Sequence, residues 1–134
     1  AGASPFVNCL GRLSMSEPAD RELHQDVLQR SHLMLLPSLG EMFGIAPGEA
    51  AHFGRPSLVS DVGGLPTVVD HGRSGLVLPE DATAEDYADA IIALVDDSTR
   101  YRALSEGALE RAKQMLNWEA FAREMGLMMR EVCR

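Results

Sequence analysis

Apolar residues fall in short continuous runs through the first half of the chain and in helical stripes through the second. PFVNCLGRL, residues 5–13, has the β-propensity of a strand and gives out in the polar segment SMSEPAD. In RELHQDVLQRS, residues 21–31, Leu23, Val27 and Leu28 recur at helix-like intervals. The run at 32–37, HLMLLP, reads as a buried strand closed by Pro37. A helix over about 45–53 follows, with Gly54 as its C-cap and Pro56 barring continuation. SLVSDV, residues 57–62, is the next buried strand, and Gly63-Gly64 is its loop. A short helical segment at 66–70 precedes the His71-Gly72 turn, and GLVLP at 75–79 is the last strand.

From Thr83 the pattern is helix alone. Thr83 with Asp86 approximates a capping box, and YADAIIALVDD carries an apolar stripe. A second helix is predicted over 98–116, and Asn117 caps a third over 118–132. Strands alternating with helices argue for an α/β fold with a parallel sheet. Met125, Leu127, Met128 and Met129 mark an apolar helix face rather than a cofactor box.

Composition narrows the function classes. The 134 residues suit a single domain over 1–134, and 46% hydrophobic with 24% charged residues is ordinary for a soluble globular chain. The net charge of −8, with no basic patch, disfavours a nucleic acid or an anionic membrane as partner. No apolar run reaches the ~20 residues of a spanning helix, and no signal-type sequence opens the chain, so a cytoplasmic setting is expected. Cys9 and Cys133 lie far apart without metal-type spacing and are expected to be reduced, structural thiols. His24, His32, His52 and His71 are scattered singly, so no metal site is expected. His52 reads as a packing residue, His71 as a turn residue, and Asp61 as a local hydrogen-bonding device before Gly63-Gly64.

The candidate chemistry lies in PSLGEMFGIAPGEA, residues 37–50. Glu41 sits on the loop after a predicted strand, and Glu49 about one turn into the next helix. In an open parallel sheet that place is the ligand crevice. The helix start near Ile45 and Ala46 offers unpaired N–H groups that bind phosphate without lysine. Gly44 allows close backbone approach, Glu49 can accept hydrogen bonds from both hydroxyls of a ribose, and Glu41 can hold hydroxyls of a second sugar. Two glutamates at this spacing also occur as a helix N-terminal charge plus a surface acid, so spacing alone leaves both readings open.

The order of motifs adds to this. PS at 37–38, EMFGIAPGEA at 41–50, GRP at 54–56, SDVGGLP at 60–66 and HGRSGLVLP at 71–79 resemble the nucleotide-sugar-binding half of GT-B retaining glycosyltransferases, the group 1 or E-x7-E type. The resemblance implies a partial Rossmann-like parallel sheet, that of the carboxyl-terminal GT-B domain without its first strands, followed by carboxyl-terminal helices. It implies Glu41 as the catalytic-site acid contacting the donor sugar and Glu49 as the ribose ligand. The backbone of Met42, Phe43 and Gly44 would face the sugar, with Ile45 and Ala46 offering N–H groups to the diphosphate. The donor would be a nucleotide-diphosphate sugar, with no cofactor and no metal in this motif.

Departures from the family pattern are visible. A small residue is common where Met42 stands, and a bulky apolar one where Gly48 stands. The amino-terminal acceptor domain and the basic pair that neutralises the departing diphosphate are expected to lie outside this sequence. CLGRLSMSE lacks the lysine of that pair, which weighs against Arg12 as a phosphate ligand. The isolated chain is therefore expected to be inactive in transfer. With its neighbouring strands missing, the sheet would keep an exposed edge, and self-association or pairing with the missing domain is expected there. A stand-alone nucleotide or nucleotide-sugar binding module, or a non-catalytic partner of a larger subunit, stays open as the alternative. A sugar-nucleotide epimerase ranks last, because DVGGLPTVV stands where that family carries S-G-G-x-x-E-E.

Overall fold

The computed structural model describes residues 4–132, which fall into two compact units, one up to Arg30 and one from Ser31. In the first, helix α1 (Pro18–Arg30) forms as its apolar spacing predicts. The strand expected over 5–13 does not form. Phe6 and Val7 are exposed, and Gly11 at φ 75° turns the backbone out of the extended region. Propensity makes a strand only where its backbone groups find a ladder, and the three-stranded sheet does not include these residues. Cys9 is an exposed free thiol rather than a structural one, and Cys133 lies outside the described residues.

The second unit is a parallel sheet, β1 (Met34–Leu36), β2 (Ser57–Ser60) and β3 (Gly75–Leu78), in that order. Leu35 stands beside Leu58, and Leu58 beside Leu76. Parallel neighbours need crossovers; α2 (Ile45–His52) supplies the first and the short α3 (Leu65–Val68) the second. β2 is central and all four of its residues are buried, as in a sheet covered on both faces. Alternation along the strands divides the core. Leu58, Leu76 and Leu78 pack with Tyr87, Leu94 and Leu104, while Val59 packs with Val62, Leu65 and Val68, joined by the half-buried Val77.

Three helices complete the chain: α4 (Ala84–Asp96), α5 (Ser98–Gln114) and α6 (Trp118–Val132). The capping box at Thr83 is present in both directions. The Thr83 N–H and hydroxyl donate to the Asp86 carboxylate at 2.7 and 2.9 Å, and these bonds, the backbone one first, hold the Asp86 carboxyl below its ordinary value. Asn117 Oδ1 accepts from the Ala120 N–H at 2.9 Å and so caps α6. The apolar face of α6 is left exposed at Trp118, Phe121, Met128 and Met129.

Two buried hydroxyls, those of Ser57 and Tyr87, have no hydrogen-bond partner among the described residues. Burying an unpaired hydroxyl costs free energy. Tyr87→Phe keeps the ring in the core and removes only that group. It should therefore hold or raise the thermal midpoint, by about 3 °C for a gain of ~1 kcal/mol. A clear fall in Tm would mean that the hydroxyl is bonded after all.

Candidate functional site

Strands β1, β2 and β3 all end at the same edge of the sheet, where the loops after Leu36 and Ser60 and the start of α2 come together. The first loop is tied down at its root. The Ser60 hydroxyl donates to the Ser38 carbonyl at 2.7 Å, so the PS pair is fixed to the end of the central strand. Beyond it, Glu41 is half-buried, while Met42 and Phe43 are exposed. One Glu41 carboxylate oxygen accepts from the Met42 N–H at 3.0 Å, which aims the acid along its own loop.

Gly44 is the N-cap of α2, in the left-handed region at φ 89°, and no side chain caps the helix. The first-turn N–H groups of Ile45 and Ala46 therefore stand at a helix start that carries partial positive charge. Pro47, buried in the same turn, has no N–H to lose there. Glu49 follows, exposed, on the same helix. One acid thus stands on the loop before an uncapped helix start and another a turn into the helix.

The second loop is built to carry the first. A Cβ on Gly63 would fall on the Glu41 carbonyl, and one on Gly64 would meet the Met42 carbonyl and lie 2.9 Å from the Phe43 Cα. The Gly64 N–H donates to the Glu41 carbonyl at 3.4 Å. Leu65, fully buried, sets a methyl where a Cβ on Gly44 would come within 2.5 Å. Backbone therefore lies on backbone, and the glycine pair allows it. Asp61 is exposed, and its N–H extends the sheet to the Leu78 carbonyl at 2.7 Å.

Among the four histidines, His52 and His71 bond to backbone, and His52, expected as a packing residue, is exposed. His71 Nδ1 accepts from the Val77 N–H at 3.0 Å, and His52 Nε2 lies 2.9 Å from the Leu116 carbonyl, to which it must donate. Among the described residues no three His, Cys, Asp or Glu converge as a metal site. A small cavity of about 90 Å³ lies away from Glu41, among Asp70, Ser74, Gly107 and Arg111. Its lining includes neither Glu41 nor Glu49.

Arg111 is a residue the sequence reading missed. It is mostly buried, with its side chain 18% exposed, and donates through Nε to the Val68 carbonyl at 2.7 Å. It also donates through Nη2 to the Thr67 carbonyl. In sequence it shows only as a basic residue near a helix end, where a dipole partner is ordinary; nothing in the pattern links it to α3.

Residues 2–97 match the family model described as glycosyl transferases group 1. The chain is 35% identical over 99 residues to a D-inositol 3-phosphate glycosyltransferase of Corynebacterium aurimucosum, covering 74% of this chain and 23% of that protein. It is 40% identical over 92 residues to the Nocardioides protein of the same name, covering 69% of this chain and 20% of the other. The chain thus spans under a quarter of the length of these curated relatives. Its fold superposes on sucrose-phosphate synthase from Thermosynechococcus elongatus with a TM-score of 0.69 at 26% identity, over 91% of this chain and 37% of that one. Anabaena HepE, solved with UDP, shares the fold at a TM-score of 0.69 and 19% identity, over 83% of this chain and 36% of that one. With its sheet, its loop order and most of its length matched, the chain belongs to the group 1 glycosyl transferases.

Proposed function

We propose that this chain is the nucleotide-sugar-binding part of a retaining glycosyltransferase, which moves a sugar from a nucleotide-diphosphate donor to an acceptor held outside this span. The observation that carries the reading is the uncapped start of α2 with Glu41 before it and Glu49 within it. Glu49 takes the ribose hydroxyls, the N–H groups of Ile45 and Ala46 meet the diphosphate, and the Met42–Gly44 backbone and Glu41 face the donor sugar. That HepE has been solved with UDP and with UDP-glucose adds support for a uridine nucleotide as the first donor to try.

In transfer, the bond from the anomeric carbon to the diphosphate breaks, one to an acceptor oxygen forms, and the acceptor hydroxyl's proton passes to the departing diphosphate. The residues here serve that step by holding the donor in one orientation and by setting fixed dipoles where negative charge gathers on the departing diphosphate. No metal is assigned a role in this motif, and the isolated chain is read as a binding part without turnover. Calorimetric titration with UDP, GDP and their sugar conjugates tests the reading. One nucleotide family should bind and name the base. A folded chain that binds none of them would overturn it.

A further inference from the structure

We propose that Arg111 is a positioning residue for the donor site, acting through α3 and the Gly63-Gly64 turn; the inference rests on the donor-site reading of Glu41. α3 has only four residues, so it cannot satisfy its own last carbonyls. The Arg111 guanidinium does so, donating to the carbonyls of Val68 and Thr67, with the Asp70 carboxylate 4.0 Å from Nη1. The fork of a guanidinium suits this double task, since it presents several donors in a fixed plane.

The other end of the same short helix is the site. Gly63 and Gly64 lie on the backbone of Glu41, Met42 and Phe43, and Leu65 lies on Gly44. α3 is thus a short strut: α5 holds its carboxyl end through Arg111, and its amino end holds the loop that carries Glu41. α5 grips the following segment as well. The Arg73 carbonyl occupies the place of a Cβ on Gly107, and Arg73 pairs with Glu110 at 3.4 Å across the surface. That outer pair is exposed and contributes little. The mostly buried Arg111 fixes the strut.

The effect should be selective. α3 touches α2 at its N-cap through Leu65 on Gly44, but it carries the Glu41 loop through two backbone contacts, at Gly63 and Gly64, while Glu49 lies a turn further along α2. Losing Arg111 should therefore weaken binding of the sugar more than binding of the nucleotide. The full chain would be compared as wild type, Arg111→Ala, Arg111→Lys and Thr83→Ala; the last uncaps α4 and lowers stability without touching α3. Amide exchange without ligand is read at Met42 and Gly64, whose N–H groups bond within the docked loop. Titration with UDP and with UDP-glucose follows.

Arg111→Ala should speed exchange at both amides and weaken UDP-glucose about tenfold, the size of one displaced hydrogen bond, while UDP changes little. Arg111→Lys, with a point charge in place of the fork, should fall between, and Thr83→Ala should leave both readouts at wild type. Unchanged exchange at Met42 and Gly64 in a folded Arg111→Ala chain would overturn the proposal, as would equal losses of UDP and UDP-glucose. A wild-type chain that binds neither ligand would instead bring down the donor-site reading on which the proposal rests, whatever the exchange shows.

Discussion

Replacing Glu49 by alanine should weaken nucleotide binding by roughly tenfold to a hundredfold, the range expected when hydrogen bonds to an ionised group are lost. The carboxylate is exposed, so the substitution opens no cavity, and surface changes of this kind usually shift stability by about 0.5 kcal/mol or less. Loss of binding with an unchanged thermal midpoint is therefore the expected pair of results. Glu41→Ala gives the complementary pattern. It should leave UDP binding close to wild type and remove most of the additional affinity of the sugar conjugate, because Glu41 stands on the loop before the helix rather than within it. If Glu49→Ala binds nucleotide as wild type does, the ribose assignment fails. If both substitutions weaken UDP and its conjugate alike, the division of the site between nucleotide and sugar fails.

Most of the second unit was legible in the sequence, because its signals are local. Pro37, Gly54 with Pro56, Thr83 with Asp86, and Asn117 each act within a few residues of their own position, and each marks an element boundary that the structure keeps to within about two residues. The short apolar cores of β2 (Leu58, Val59) and β3 (Leu76 to Leu78) reflect burial in the sheet, which is also a property of the run itself. The failure at residues 5–13 has a different origin. Strand formation depends on a partner elsewhere in the fold, and PFVNCLGRL carries the composition of a strand without a ladder to join. The site divides in the same way. Glu41, Gly44 and Glu49 stand on one continuous motif and could be read from it. The support beneath them comes from Gly63, Gly64 and Arg111, and of these only the glycines left a mark in the sequence, as a turn. Their docking against Glu41 and Met42, and the reach of Arg111 to α3, are contacts between elements far apart in the chain.

That docking makes Gly63 the most sensitive glycine of the site, and a matched pair of substitutions measures it. Gly63 and Gly72 both adopt positive φ, 52° and 76°, so alanine at either position takes on the left-handed penalty of about 1–2 kcal/mol. Their surroundings differ. A Cβ at Gly72 meets nothing within 4 Å, whereas one at Gly63 lands on the Glu41 carbonyl and lies 2.9 Å from its carbon. Those atoms are backbone, with no rotamer to turn aside, so Gly63→Ala must move the loop or the turn. Gly72→Ala should cost only the conformational term, and Gly63→Ala should cost ~2 kcal/mol more, in the range of strained or overpacked sites. Urea unfolding of the two variants gives the difference directly from their midpoints at equal slope. Where Gly63→Ala remains folded, the displaced loop carries Glu41 with it, and affinity for the sugar conjugate should drop toward that of the bare nucleotide. Equal midpoints for the two variants would mean that the turn does not bear on Glu41, and the route from α3 to the site would be lost with it.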